Sequence, residues 1–315
     1  MFSTRRFPRK PERRVRIASI GFNPPLALEK IAELVDGEGR RGTDLIVLPE
    51  LSRGQDQTSM EGLDGPTVTA MARLAKRHQT YIVCAIDCME GGVRRNSAVL
   101  LDRQGNIASV YDKMYPLFPS EFDQEPPVCA GSEPSVCETD FGRVGLSICF
   151  DVNWPDVWGG LAARGAELVA WPSGYSGGRM LQSHAIQNHF YIVSATWIPD
   201  GRVYDIDGAP LAHERDRGGG VSLMRATVDL DRCIFHRDGN YPAKLERLLL
   251  ECGQDIEMER FLEAESWFIL RSRREGVSAR EIARQYGLEE LGPYIRRCEL
   301  DIEARRRMKS RAALP

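Results

Sequence analysis

The chain has 315 residues, 42% of them apolar and 28% charged, enough to bury a large core. Its net charge is −3, from 42 basic against 45 acidic residues, so nothing global points to nucleic acid or membrane. No stretch approaches the ~20 apolar residues of a membrane span, and the N-terminus lacks the apolar core of a secretory signal.

Residues 16–22 read as a strand. Residues 25–36 read as an amphipathic helix with Leu28, Ile31, Ala32 and Val35 on one face and Gly37 as its stop. A strand at 43–49 precedes a helix at 66–78 with Pro66 in its first turn. Strands at 81–87 and 97–101 flank the turn Gly91-Gly92, and 106–112 completes a hairpin across Arg103-Gln104-Gly105-Asn106. The proline-rich segment 116–134 has no clear period, and its length suggests a functional loop. After an apolar run ending at Cys149 come a helix at 155–164, a strand at 167–172, a helix at 179–189, and strands at 190–196 and 221–230. Mixed βα and ββ connections imply mixed sheets, and helices on only some connections suggest two sheets stacked face to face. The class is α/β.

Three strand ends carry ionisable groups. Leu45-Ile46-Val47-Leu48-Pro49-Glu50 delivers a carboxylate, Val110-Tyr111-Asp112-Lys113 an ammonium, and Leu146-Ser147-Ile148-Cys149 a thiol. A thiol at a strand-to-helix turn lies beside the positive end of a helix dipole, which favours thiolate. Base, cation and thiol together are the parts for acyl transfer by covalent catalysis. Each alone has a bland reading: Pro-Glu is commonly a surface turn, a lone lysine a solvated loop charge, and a lone cysteine a small buried hydrophobe. Their order and placement carry the inference. Eight cysteines over this length do not form a disulfide framework, so a reducing cytoplasm is the expected location. Cys84 and Cys88 lack partners at zinc-ligand spacing, and neither metal nor cofactor is expected.

In that order Glu50, Lys113 and Cys149 resemble the Glu-Lys-Cys triad of the nitrilase, or carbon-nitrogen hydrolase, superfamily, in its amidase and carbamoylase-like branch. LIVLPE resembles the glutamate strand, YDKMYPLF the lysine segment and SICFDVNWPD the cysteine elbow. GAELVAWPSGY and HAIQNHFYIVSA resemble the elements that follow, and the likeness runs from about residue 15 to about 237. It implies a four-layer αββα sandwich of two mixed β-sheets with helices outside, and a homo-oligomer paired through helices near the elbow. It also implies a second glutamate beyond the lysine; Glu125 is the best match and Glu121 the runner-up. The implied reaction is hydrolysis of a small carboxamide or N-carbamoyl compound, with Glu50 as base, Lys113 and the Phe150 N–H holding the oxyanion, and a thioester on Cys149. Cys-Phe-Asp at the elbow differs from the Cys-Trp-Glu of nitrile-cleaving members and argues for amides; the alternatives are nitrilase or acyl-transfer chemistry on the same triad, or a catalytically silent or regulatory member acting through its C-terminal helices. Tyr115, Asn153, His184 and Gln187 also depart from common family residues, which leaves the subfamily open. Asn153, Trp154, Trp171 and Tyr175 are candidate pocket residues, with Trp154 and Trp171 equally suited to the core. Asp151 suits an anchor for the elbow, and His184 and His189 suit packing or capping.

Residues 1–14 are basic and read as a disordered arm, 15–240 as the hydrolase domain and 241–315 as a helical extension. Leu245–Cys252 and 258–273 show helical periodicity, and Ser278 with Glu281 forms a capping box ahead of a stop at Gly287. This looks like the first helix and turn of a helix-turn-helix. The acidic Glu289-Glu290 that follows, and a helix broken at Gly292-Pro293, argue against DNA reading and for packing on the body or a partner subunit.

Overall fold

The computed structural model describes residues 13–55, 58–117, 128–216, 218–239 and 242–312. They divide into two compact units, one from Arg14 to Val228 and one from Asp229 onward, the latter with Arg13.

The first unit opens with β1 (Arg14–Phe22), α1 (Leu28–Gly39), β2 (Leu45–Val47), α2 (Pro66–His78), β3 (Tyr81–Glu90), β4 (Val93–Leu101) and β5 (Ile107–Asp112). It continues with β6 (Ser135–Glu138), β7 (Arg143–Leu146), a 3₁₀ turn at Cys149–Asn153, α3 (Pro155–Ala163), β8 (Leu168–Ser173) and α4 (Gly178–Asn188). Strands β9 (Tyr191–Thr196), β10 (Asp200–Tyr204), β11 (Pro210–Arg215) and β12 (Val221–Asp229) complete it. Two six-stranded sheets result, ordered β12-β1-β2-β3-β4-β5 and β11-β10-β9-β8-β7-β6. Each has a parallel centre, β1/β2/β3 and β7/β8/β9, and antiparallel edges. Central strands such as β8 are buried along their whole length, as expected of a parallel sheet covered on both faces.

The apolar stripes of α1 and α2 cover the first sheet through Ile31, Val35, Val68, Met71 and Ala75. Those of α3 and α4 cover the second through Val157, Trp158, Leu161, Leu181 and Ala185. The inner faces of the sheets meet closely. The Ser19 hydroxyl donates to the Ser194 carbonyl at 2.6 Å, and a Cβ on Gly21 would sit 2.6 Å from Ser222 Oγ and 3.1 Å from the Thr196 carbonyl oxygen. This is the four-layer sandwich with helices outside. Helix α1 runs two residues past the expected stop at Gly37, ending at Gly39 with Arg40 as its C-cap. Strands β10 and β11 form a hairpin not anticipated from the sequence.

The second unit comprises β13 (Cys233–His236), α5 (Ala243–Cys252), β14 (Ile256–Leu262), β15 (Trp267–Ser272), α6 (Ala279–Gln285) and α7 (Leu291–Ala312). The C-terminal helices are present, but 258–273 is not helical: β14 and β15 pair antiparallel, with β13 on the other side of β15. Ser266 at φ 58° breaks the chain between them, and Phe268 and Leu270 alternate onto the core with Cys233, Phe235, Leu245, Leu248 and Ala283. Spacing alone did not separate this period of two from a helical one. The Ser278 side chain caps α6 by accepting the Glu281 N–H at 3.2 Å. Gly292 and Pro293 do not break the next helix; they lie in the first turn of α7, where proline is tolerated. Among the described residues no helix is long and apolar enough to cross a membrane.

Candidate functional site

Parallel sheets place functional groups beyond the carboxyl ends of their strands. Glu50 follows β2, Lys113 follows β5 and Cys149 follows β7, so the two sheets share the site. Glu50 and Lys113 are almost fully buried, at 3% and 2% exposure. Lys113 Nζ donates to Glu50 Oε1 at 2.9 Å. The same oxygen accepts Asn96 Nδ2 at 2.8 Å, and the Asn96 carbonyl accepts the Lys113 N–H at 2.9 Å. Asn96, on β4, therefore fixes both the carboxylate and the strand end that carries the ammonium.

Cys149 is partly exposed and has a left-handed backbone at φ 44°. Such an angle is uncommon for a residue with a Cβ, and it projects the side chain from a sharp turn. Burial of the sulfur pushes the thiol well above its ordinary range, and the Glu50 charge adds to this. Lys113, a hydrogen bond with the Ser173 side chain and another with the Gly174 N–H act in the opposite direction. The expectation that the turn favours thiolate is corrected here. The element directly after Cys149 is a five-residue 3₁₀ turn, with α3 starting at Pro155, and burial is the largest influence on the thiol. Burial therefore favours the neutral thiol, and Glu50 is a carboxylate that acts on it. The Phe150 N–H lies in the first turn after the sulfur.

Asp151 is the anchor of this elbow. It is fully buried; Oδ2 accepts the Tyr111 hydroxyl at 2.7 Å and the Ile148 N–H at 2.9 Å, and Oδ1 accepts the Tyr115 N–H at 2.9 Å. Because Tyr111 and Tyr115 straddle Lys113, one carboxyl group ties the lysine segment to the cysteine turn. Burial, the largest influence, raises Asp151 to about 6 against the lowering effect of these bonds.

The other expected residues fall in two groups. Tyr115 stacks on Trp154 with ring centroids 4.2 Å apart and planes at 4°, and Phe150 meets Trp154 edge-on at 4.8 Å. Tyr175 and Asn153 are exposed, hydrogen-bonded to each other through their side chains. Burial and the neighbouring Cys149 push the Tyr175 phenol up to about 12. Trp171, by contrast, is fully buried in the core and donates its indole N–H to the Cys149 carbonyl at 3.1 Å, supporting the elbow from beneath. His184 stacks on Trp158 and donates to the Val152 carbonyl at 2.7 Å, a packing role, and His189 caps α4. Glu125 and Glu121 lie outside the described residues. Two residues that sequence reasoning missed are Asn96 and Trp197; the Trp197 indole N–H donates to the Glu50 backbone carbonyl. Neither carries a motif, since each contact depends on strand register across a sheet.

Comparison with known proteins identifies the family of the chain. The family model described as carbon-nitrogen hydrolase matches residues 16–236. A nitrilase of Pyrococcus abyssi is 28% identical over 60% of this chain and 77% of its own length. A deaminated glutathione amidase of Synechocystis sp. is 28% identical over 53% of this chain and 70% of its own. Among solved structures, an amidase from Nesterenkonia sp. superposes with a TM-score of 0.59 at 24% identity, covering 74% of this chain and 95% of that one. A variant of the Nesterenkonia sp. AN1 amidase, showing covalent addition of the acetamide moiety of fluoroacetamide at its active-site cysteine, gives 0.60 at 22% identity, covering 76% and 98%.

Proposed function

Because the chain belongs to the carbon-nitrogen hydrolase family, we propose that it hydrolyses a small carboxamide or N-carbamoyl compound through a thioester on Cys149. The observation that carries this reading is the buried Lys113–Glu50 pair, 2.9 Å apart, acting electrostatically on the Cys149 thiol.

Glu50 takes the thiol proton as the sulfur adds to the carbonyl carbon. The oxyanion that forms is held by Lys113 Nζ and the Phe150 N–H, donors placed before charge develops. Collapse of the tetrahedral species breaks the C–N bond, and the leaving ammonia or amine collects the proton from Glu50. Water then attacks the thioester, Glu50 takes its proton, and the acid leaves as the thiol is restored. Glu125 is assigned to orient base and substrate. Phe150, Trp154 and Tyr175 give an aromatic wall with Asn153 as a polar point, a lining that suits a small ligand. The Phe150-Asp151 pair at the elbow favours amides over nitriles, and Asp151 there is committed to three donors.

Eight free thiols suit a reducing compartment, so the enzyme is assigned to the cytoplasm. Assembly is assigned to a homo-oligomer through α3 or the C-terminal helices, and a monomer at micromolar concentration in sedimentation would count against it.

The deciding experiment is intact mass after incubation with small amides, carbamoyl compounds and fluoroacetamide, wild type beside Cys149→Ala. An adduct or released ammonia that requires Cys149 supports the reading and identifies the acyl group. Product formation that survives Cys149→Ala overturns it.

A further inference from the structure

Trp197 stands just beyond β9 and touches both halves of the candidate site. Its backbone N–H donates to the Ser173 carbonyl at 3.1 Å, while its indole N–H reaches the Glu50 carbonyl. Its ring packs on Gly174, where an added Cβ would lie 3.0 Å from Cε3 and 3.3 Å from two further ring atoms. One residue therefore joins the turn after β2, in the first sheet, to the turn after β8, in the second.

The turn at Glu50 requires such a tie. The next residue, Leu51, is buried with φ 45°, a left-handed backbone that a non-glycine residue keeps only where its surroundings over-determine it. Ser52 supplies part of that constraint: its hydroxyl donates to the Pro49 carbonyl at 2.7 Å and its N–H to the Ala85 carbonyl at 3.2 Å. The indole of Trp197 supplies the part that acts on Glu50 itself. On the other side, the Tyr175 N–H donates to Ser173 Oγ at 3.0 Å, and Ser173 and Gly174 hydrogen-bond the Cys149 thiol.

We propose that Trp197 is a positioning residue: it locks the turn carrying Glu50 to the Ser173–Gly174 turn beside Cys149, so that carboxylate and thiol stay in the geometry that proton transfer needs. The proposal rests on the reading of Glu50 as the base.

Trp197→Phe keeps an aromatic ring at this position but removes the indole N–H and the outer part of the ring that packs on Gly174. The readout is the rate of Cys149 alkylation by iodoacetamide across pH, resolved by peptide mass because seven other cysteines compete. It is taken for wild type, Trp197→Phe, Glu50→Gln and the double variant. We expect Trp197→Phe to change the rate about tenfold in the same direction as Glu50→Gln, and less than about twofold once Glu50 is already replaced. A purely structural role would change the rate equally in both backgrounds; that result, or no change in either, overturns the proposal. Trp197→Tyr, which also lacks the indole N–H, must show the same dependence on Glu50, and it decides the matter if Trp197→Phe fails to fold by circular dichroism. The cycle does not depend on knowing the substrate. Failure of the hydrolase reading shows separately, as amide turnover that survives Cys149→Ala.

Discussion

Lys113 and Glu50 meet at 2.9 Å, both nearly out of water, although 63 positions separate them in the chain. Removing two charges from solvent is costly, and such a pair is weak evidence of stability on its own. Its persistence here fits a group that must present a cation to a reacting carbonyl.

Lys113→Ala should therefore lower kcat by about 10²–10³, the usual effect of deleting one oxyanion donor, with a much smaller change in KM. Lys113 is also the charge that favours the Cys149 thiolate, so alkylation of Cys149 should slow in the same variant. A pure KM effect would contradict the assignment. The variant leaves Glu50 buried without its cation, so rates should be referred to the folded fraction, and we expect the unfolding free energy from a urea titration to fall by about 3–5 kcal/mol.

Cys149→Ala should abolish turnover and leave the far-ultraviolet circular dichroism spectrum unchanged, because alanine loses only the sulfur while Trp171 still holds the carbonyl at this position. Residual turnover above about 1% of wild type would exceed what the oxyanion hole alone sustains once a nucleophile is gone.

Asp151 links stability to pH. Its folded value of about 6 lies above its ordinary 3.8, so between about pH 4 and 6 the folded chain binds this proton more tightly than the unfolded chain. The contribution of this group favours folding at the low end and is lost as the pH rises through 6. The gap corresponds to roughly 3 kcal/mol. Asp151→Asn should remove that slope in urea unfolding at pH 4, 5 and 6, while lowering stability throughout by about 1–3 kcal/mol because an acceptor is lost to one of three donors. An unchanged slope would reject the assignment.

Trp154→Ala removes a ring that Tyr115 stacks on and Phe150 abuts. If this wall orients the acyl group, KM for the best amide should rise about tenfold, the scale of one lost aromatic contact, with kcat within a few-fold. Measuring both on one substrate separates the wall from the core, since a change in Tm alone would mark a packing role.

The placement of Glu50, Lys113 and Cys149 just beyond strand ends is legible in the sequence, because apolar runs define strand ends and polar groups stand out beyond them. Their neutral supports are not. Asn96 reaches Glu50 because β4 pairs with β3 in one register, and Trp197 reaches it across two sheets; neither relation leaves a local pattern. In the C-terminal unit, Met258, Phe261 and Phe268 satisfied a helical spacing until the left-handed Ser266 turned the segment into a hairpin. The thiol was misjudged for a different reason. A dipole can be anticipated from a turn, whereas desolvation depends on everything packed around the sulfur.

The left-handed backbone at Cys149 has a consequence for how this protein tolerates change. Glycine would relieve the steric conflict there, and Cys149→Gly should raise the midpoint of urea unfolding relative to Cys149→Ala by the equivalent of about 1 kcal/mol. The backbone at this position thus selects against the residue that the proposed chemistry needs. A lineage released from its reaction would be free to drift toward glycine at position 149, whereas one that retains cysteine there does so against the preference of its own fold.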